Sequence, residues 1–170
     1  MVVDILKKDI KCYGGKGSFL EIIKKYFTNR GFKAVFLYRL SNFFYKKNLK
    51  ILAIFFQHRN IRLNSCEIGY ETEIGPGMKI RHPMGIVISG NAILGSNVTI
   101  AQNVTIGEKK EGFPIIGDGC DIGAGAVVLG KLKIEDKVTI GANALVTKDV
   151  SGNSVIGGVP FKYLRRKNNE

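Results

Sequence analysis

Histidine is the scarcest chemistry-bearing residue in this chain, with only two copies. His82 stands in Ile80-Arg81-His82-Pro83-Met84-Gly85, where Pro and Gly mark a bend. An imidazole in such a place can accept a proton near neutral pH. A neutral hydroxyl must lose that proton to attack an activated carbonyl such as a thioester at a useful rate. A carboxylate on the other ring nitrogen would fix the tautomer and stabilise the imidazolium. Glu67, one stretch earlier in the chain, is the candidate for that role. His58 closes an apolar segment and reads as structural. Cys12, Cys66 and Cys120 are odd in number and lack metal-type spacing, and the Asp and Glu residues do not gather as ligands. Neither a disulfide framework nor a metal site is expected. The chain has no Walker or dinucleotide-type glycine loop and no Ser-His-Asp order.

The elements that would position these groups follow a period of six. Ile68, Ile74, Ile80 and Ile86 form one run, Leu94, Ile100 and Ile106 a second, and Ile116, Ile122, Val128, Ile134, Ile140 and Val146 a third. Two positions before each aliphatic stands another small or apolar residue, Cys66, Thr72, Met78, Ala92, Val98, Val104, Cys120 and Ala126 among them. Six is the beat of a parallel β-helix, in which each short strand ends at a corner and three strands close one coil. The aliphatic fills the interior, the small residue keeps the coil narrow, and Gly serves the corners. About five coils, at roughly 4.8 Å each, fit between residues 61 and 158. The beat breaks between Ile86 and Leu94, and again between Ile106 and Ile116, where a charged insertion should project outward.

Residues 1–60 read differently. Ser18-x-x-Glu21 is a capping box that opens a helix over Ile22, Ile23, Tyr26 and Phe27, ended by Gly31. Phe36, Leu40, Phe43 and Phe44 mark a second helix, and residues 49–58 a third. The expected organisation is a basic helical region (1–60), a β-helix (61–158) and a basic tail (159–170). Residues 1–60 hold 13 Lys/Arg against 3 Asp/Glu, and the tail from Lys162 holds 4 against 1. This charge suits a phosphate-bearing partner such as CoA, a lipid-linked sugar or an anionic membrane surface. Nucleic acid is not expected, because no recognition motif accompanies the charge. The longest clean apolar run, Ile51 to Phe56, is far short of a membrane span, and the start has no signal-peptide pattern. A cytoplasmic protein is expected, with peripheral contact at the inner membrane face through the basic helices as an added reading.

Taken together, these residues resemble the bacterial serine acetyltransferases and their relatives that O-acetylate surface polysaccharides. The resemblance runs along nearly the whole chain. It rests on Leu37-Tyr-Arg-Leu-Ser-Asn-Phe-Phe-Tyr45, Glu67-Ile-Gly, Ile74-Gly-Pro-Gly, His82-Pro-Met-Gly-Ile-Val-Ile, Ala101-Gln-Asn-Val-Thr-Ile-Gly107, Ile122-Gly-Ala-Gly-Ala126 and Gly158-Val-Pro160. It implies a left-handed β-helix assembled as a homotrimer, with acetyl-CoA in a groove between neighbouring prisms. His82 would be the general base, supported by Glu67, which stands where the family has Asp. Backbone N–H groups around Gly107 and Glu108 would steady the oxyanion. Ala124 and Ala142 would meet the pantetheine arm, and Lys162, Arg165 and Arg166 the CoA phosphates.

The acceptor side departs from the family. Arg81 replaces an Asp that contacts the amino acid, and Gly112 and Phe113 replace an Arg-His pair. Asp9 matches another acceptor-side acid, but Ile10 follows it in place of Pro. Asp9, Arg81 and Phe113 are the residues expected to face the acceptor. The departures favour a sugar hydroxyl in capsule or lipopolysaccharide assembly, with the Phe113 ring stacking on the sugar. Serine O-acetylation in cysteine biosynthesis and a non-catalytic trimeric scaffold are the alternatives.

Overall fold

The computed structural model describes residues 2–109 and 112–167. Four helices come first: α1 (Val2–Lys11), α2 (Phe19–Thr28), α3 (Arg30–Lys46) and α4 (Lys50–Asn64). The Ser18–Glu21 capping box is present, and Glu21 also accepts from the Lys16 and Gly17 N–H groups. Two boundaries differ from expectation. Gly31 does not stop a helix but sits in the first turn of α3, capped by Asn29. A Cβ at Gly31 would run into the Ile80 carbonyl oxygen, so glycine here lets α3 lie directly on the first coil of the solenoid. The last helix continues to Asn64, and Ser65 in the left-handed region turns the chain into the first strand.

Fifteen short strands follow and stack as three parallel sheets. Sheet A holds β1 (Cys66–Ile68), β4 (Ile86–Ile88), β7 (Thr105–Gly107), β10 (Val127–Leu129) and β13 (Leu145–Val146). Sheet B holds β2 (Glu73–Ile74), β5 (Ile93–Leu94), β8 (Ile115–Ile116) and β11 (Lys133–Ile134). Sheet C holds β3 (Lys79–Ile80), β6 (Thr99–Ile100), β9 (Asp121–Ile122), β12 (Thr139–Ile140) and β14 (Ser154–Gly157), and β15 (Lys162–Arg166) pairs antiparallel at its end. Within the C-terminal segment, Lys162–Arg166 therefore form a strand that closes sheet C. Four coils are complete, and the second side of the fifth is a single bridge between Ile134 and Val150. One aliphatic column fills each side. Ile80, Ile100, Ile122, Ile140 and Ile156 form that of sheet C, each at most 1% exposed. Cys66 and Cys120 pack inside as small core residues, and burial pushes the Cys66 thiol up to about 12.

Register moves the first break of the beat. Ile68 pairs with Ile88, so Ile88 is the interior residue, and Ile86 aligns with Cys66 in the flanking position. The two extra residues thus lie between Ile80 and Ile88, in the corner that carries His82. Period counting could not choose between Ile86 and Ile88, because both are aliphatic and both end up buried. The second insertion lies where expected, between β7 and β8. Lys109 and Gly112 bridge across it, and a Cβ at Gly112 would lie 3.5 Å from the Lys131 Cβ of the next coil. Its described ends therefore lie along the neighbouring corner.

The helices close the first coil through α3, whose Ala34, Val35 and Tyr38 join the solenoid core. Asp9 fixes this docking. Its Oδ2 accepts from Arg39 Nε at 2.9 Å, and its Oδ1 accepts from Arg39 Nη2 and from the Gly77 and Met78 N–H groups. Arg39 then donates to the Ile74 and Gly75 carbonyls. Asp9 is 0% exposed. This corrects the expectation that Asp9 faces the acceptor, since both its oxygens are consumed in the seam between helices and solenoid. Replacing it strands a buried guanidinium. Asp9→Ala should lose about 3–5 kcal/mol of unfolding free energy in urea titration, without a matching loss in the exposed pair variant Asp121→Ala.

Candidate functional site

Three corners join the sheets, and the one running from sheet C to sheet A stacks the residues of interest. From coil to coil it carries Arg81–Gly85, Gln102-Asn103, Ala124-Gly125 and Ala142-Asn143. Gly85, Asn103, Gly125 and Asn143 all have positive φ, between 55° and 70°, which only Gly and Asn adopt readily. Each such residue donates to the corner below: Asn103 to the Met84 carbonyl, Gly125 to Gln102 and Asn143 to Ala124, at 2.8–2.9 Å. The result is a continuous backbone edge that carries Gln102 above the His82 corner and then the short Ala124 and Ala142. His82 and Ala142 are three coils apart, about 14 Å along the edge.

The two-residue insertion lifts the lowest corner off this edge. Pro83 is buried beneath it and Gly85 N–H donates to the Ser65 carbonyl at 2.8 Å, while His82 and Met84 are left exposed. Among the described residues the exposed His82 ring has no hydrogen-bond partner. Glu67 lies on the outer face of β1, level with Val87 in the register. It too is exposed, and no hydrogen bond joins it to His82 among the described residues. The two groups share one coil and adjoining surfaces without touching.

Ala124 and Ala142 stand on the corner column that begins at the His82 corner. At the top of that edge, Lys162 pairs with Gly157 and Arg165 with Val155, which puts both on the outer side of sheet C, whereas Arg166 pairs with Ser154 on the opposite side. Lys162, opposite Gly157, lies beside the end of sheet C that leads into the Ala142 corner. Arg81, just after β3, donates to Asp121 Oδ2 at 2.6 Å across the outer face of sheet C. It is held away from sheet A by an exposed ion pair.

Gly107, Glu108 and Phe113 lie at the other end of sheet A, on the corner leading to sheet B. The Gly107 carbonyl accepts from Gly130, and the Glu108 N–H has no partner among the described residues. A sheet A strand of three or four residues separates this corner from His82 by about 10–13 Å, and more once the coil offset is added. One chain therefore holds the base and the free N–H on different edges. The sequence beat missed the Gly/Asn column, although left-handed residues recurring at one corner position are a readable signal. It missed the Asp9–Arg39 seam as well, because nothing in local spacing links those two residues.

Residues 113–148 match the bacterial transferase hexapeptide family, described with six repeats. The chain is 34% identical over 140 residues to a serine acetyltransferase of Synechococcus elongatus, covering 80% of this chain and 57% of that protein. It is 36% identical over 154 residues to a serine acetyltransferase of Staphylococcus epidermidis, covering 88% of this chain and 71% of that protein. The chain thus spans little more than half of the first relative. Among solved structures, a serine acetyltransferase in complex with CoA superposes with a TM-score of 0.85 at 28% identity, over 96% of this chain and 69% of that one. The solenoid is accordingly the left-handed parallel β-helix of these proteins.

Proposed function

The chain belongs to the serine acetyltransferase family of hexapeptide-repeat proteins, and from that premise we propose that it moves the acetyl group of acetyl-CoA onto a hydroxyl, with His82 as general base. The observation that carries this reading is an exposed, unpartnered imidazole at the foot of a corner column that carries Gln102, Ala124 and Ala142, with Lys162 beside its far end. The pantetheine arm lies along that edge with its thioester near His82, and Lys162 and Arg165 meet the phosphates. His82 takes the proton from the acceptor hydroxyl as its oxygen bonds to the thioester carbon. The tetrahedral oxyanion is held by N–H groups near Gly107 and Glu108. The carbon–sulfur bond then breaks, and the imidazolium returns its proton to the departing thiolate. Glu67 closes on the far ring nitrogen when substrates bind and fixes the tautomer.

The assembly is a homotrimer, and two observations support it. The base and the oxyanion donor lie on different edges, so a second copy must complete each site. The outer ladder of sheet A reads Glu67, Val87, Thr105, Val127 and Leu145 and that of sheet B Glu73, Ile93, Ile115 and Lys133, so each carries exposed aliphatics between polar ends or neighbours, whereas that of sheet C reads Lys79, Thr99, Asp121, Thr139 and Val155. Heterologous packing of A on B closes a ring.

For the acceptor, the relatives put serine first, ahead of the sugar hydroxyl that the sequence departures favoured. One observation keeps the sugar as a second reading. A bound amino acid needs a carboxylate and a guanidinium, yet Arg81 is tied to Asp121, Asp9 is sealed in the seam, and Gly112 and Phe113 offer no charge. Losing such pairings costs recognition of an amino acid far more than of a neutral sugar.

His82→Ala should lower kcat on the order of 10²–10⁴-fold with little change in the acetyl-CoA KM, followed by release of free thiol. An unchanged rate would sink the base assignment. Ala142→Leu should instead raise the acetyl-CoA KM and leave kcat near normal at saturation. A thiol-release panel of serine and sugar acceptors decides between the two readings: activity on serine alone removes the sugar, and activity on sugars alone removes serine.

A further inference from the structure

The sequence from Ile22 to Cys66 contains no Asp or Glu at all, but carries Lys24, Lys25, Arg30, Lys33, Arg39, Lys46, Lys47, Lys50, Arg59 and Arg62. Of these, Arg39 is neutralised by Asp9. The remaining positive charge is uncompensated locally, and the structure concentrates part of it where α3 ends and α4 begins. There Lys46, Lys47 and Lys50 surround Leu49 and Ile51, and Ile51 is the most exposed large apolar side chain described, at 85%. Leu52 and Phe55 continue the apolar side along the first turns of α4. The tip stands on a firm base: Phe44 stacks on Phe56 with ring centroids 5.3 Å apart, and Ser41 donates to the Ala53 carbonyl at 2.7 Å. Among the described residues no helix is long and apolar enough to cross a membrane.

We propose that the α3–α4 tip, Lys46 to Phe55, docks this protein on an anionic lipid bilayer, with Leu49, Ile51 and Phe55 entering the headgroup boundary and Lys46, Lys47 and Lys50 meeting lipid phosphates. Two features select this occupant. A second copy of the tip would bring equally basic surfaces together with no acid between them, which repels. An apolar wedge ringed by lysines matches the layered chemistry of an anionic interface, where hydrocarbon lies directly below negative charge. The proposal does not depend on the identity of the acceptor or on catalysis, and its test reads binding alone.

The purified full-length chain is floated with vesicles of phosphatidylcholine alone and of phosphatidylcholine mixed with phosphatidylglycerol, at low and at high salt. It should float only with the phosphatidylglycerol vesicles and release as salt rises. The triple substitution Lys46→Gln, Lys47→Gln, Lys50→Gln should lower partitioning on the order of 100-fold. Ile51→Ser should lower it about tenfold. Thermal melting verifies that each variant folds, which these exposed positions permit. Failure of the wild-type chain to float on the anionic vesicles overturns the proposal. So does flotation that survives the triple substitution, or a change of sedimentation mass in the variants, which would show that a second copy covers the tip. Binding to polyglutamate in place of the vesicles would point to an acidic protein and overturn it equally.

Discussion

Everything in this molecule rests on keeping a three-sided coil narrow enough for one aliphatic side chain per side to fill it. Backbone hydrogen bonding between coils fixes their spacing, and the interior columns of Ile, Leu and Val fix the cross-section. Corners must then bend sharply without bulky side chains, and at the edge between sheets C and A this is done by Gly85, Asn103, Gly125 and Asn143 in the left-handed region. The same requirement shapes the edge proposed as the site. An edge built for tight turning carries the short Ala124 and Ala142, and the single corner relieved by two extra residues is the one that presents His82.

The coil architecture was legible because its signal is periodic and redundant, with twelve of the thirteen aliphatic positions read from the beat standing in interior columns and Ile86 beside them. The phase near His82 was not. Ile86 and Ile88 are chemically equivalent there, and only pairing with Cys66 and Ile68 shows which points inward. Gly31 misled for a related reason: a glycine near a helix boundary reads as punctuation, yet here it allows close contact with Ile80, a neighbour fifty residues away in sequence. The basic C-terminal segment gave charge but no periodicity, so its strand pairing with Ser154–Gly157 could not be read.

Among the candidate site residues, shared placement on one edge was legible where the repeat is regular, and the partners of Asp9 and Arg81 were not. Ala124 and Ala142 occupy equivalent positions in successive coils, in line with Gln102 and Met84, and His82 stands in the same corner column through its two-residue insertion. Asp9 was expected to face the acceptor because it matches an acceptor-side acid of the family that the chain resembles. Its actual work is to accept four hydrogen bonds across the seam and lock the helices to the coil beneath His82. Arg81 is adjacent to the base in sequence, but strand alternation and Asp121 direct it across a different sheet. Neighbours in sequence part at a corner, and residues far apart meet along an edge.

On the reading proposed above, the base lies on one edge and the oxyanion donor on another, so that no chain would act alone. The sharpest measurement is subunit mixing between His82→Ala and Glu108→Pro, the second of which deletes the free N–H. Each variant alone should be inactive, while trimers refolded from an equal mixture should recover about a quarter of the wild-type sites, because some interfaces then combine an intact base with an intact donor from different chains. A mixture as inactive as its two components would contradict the shared site.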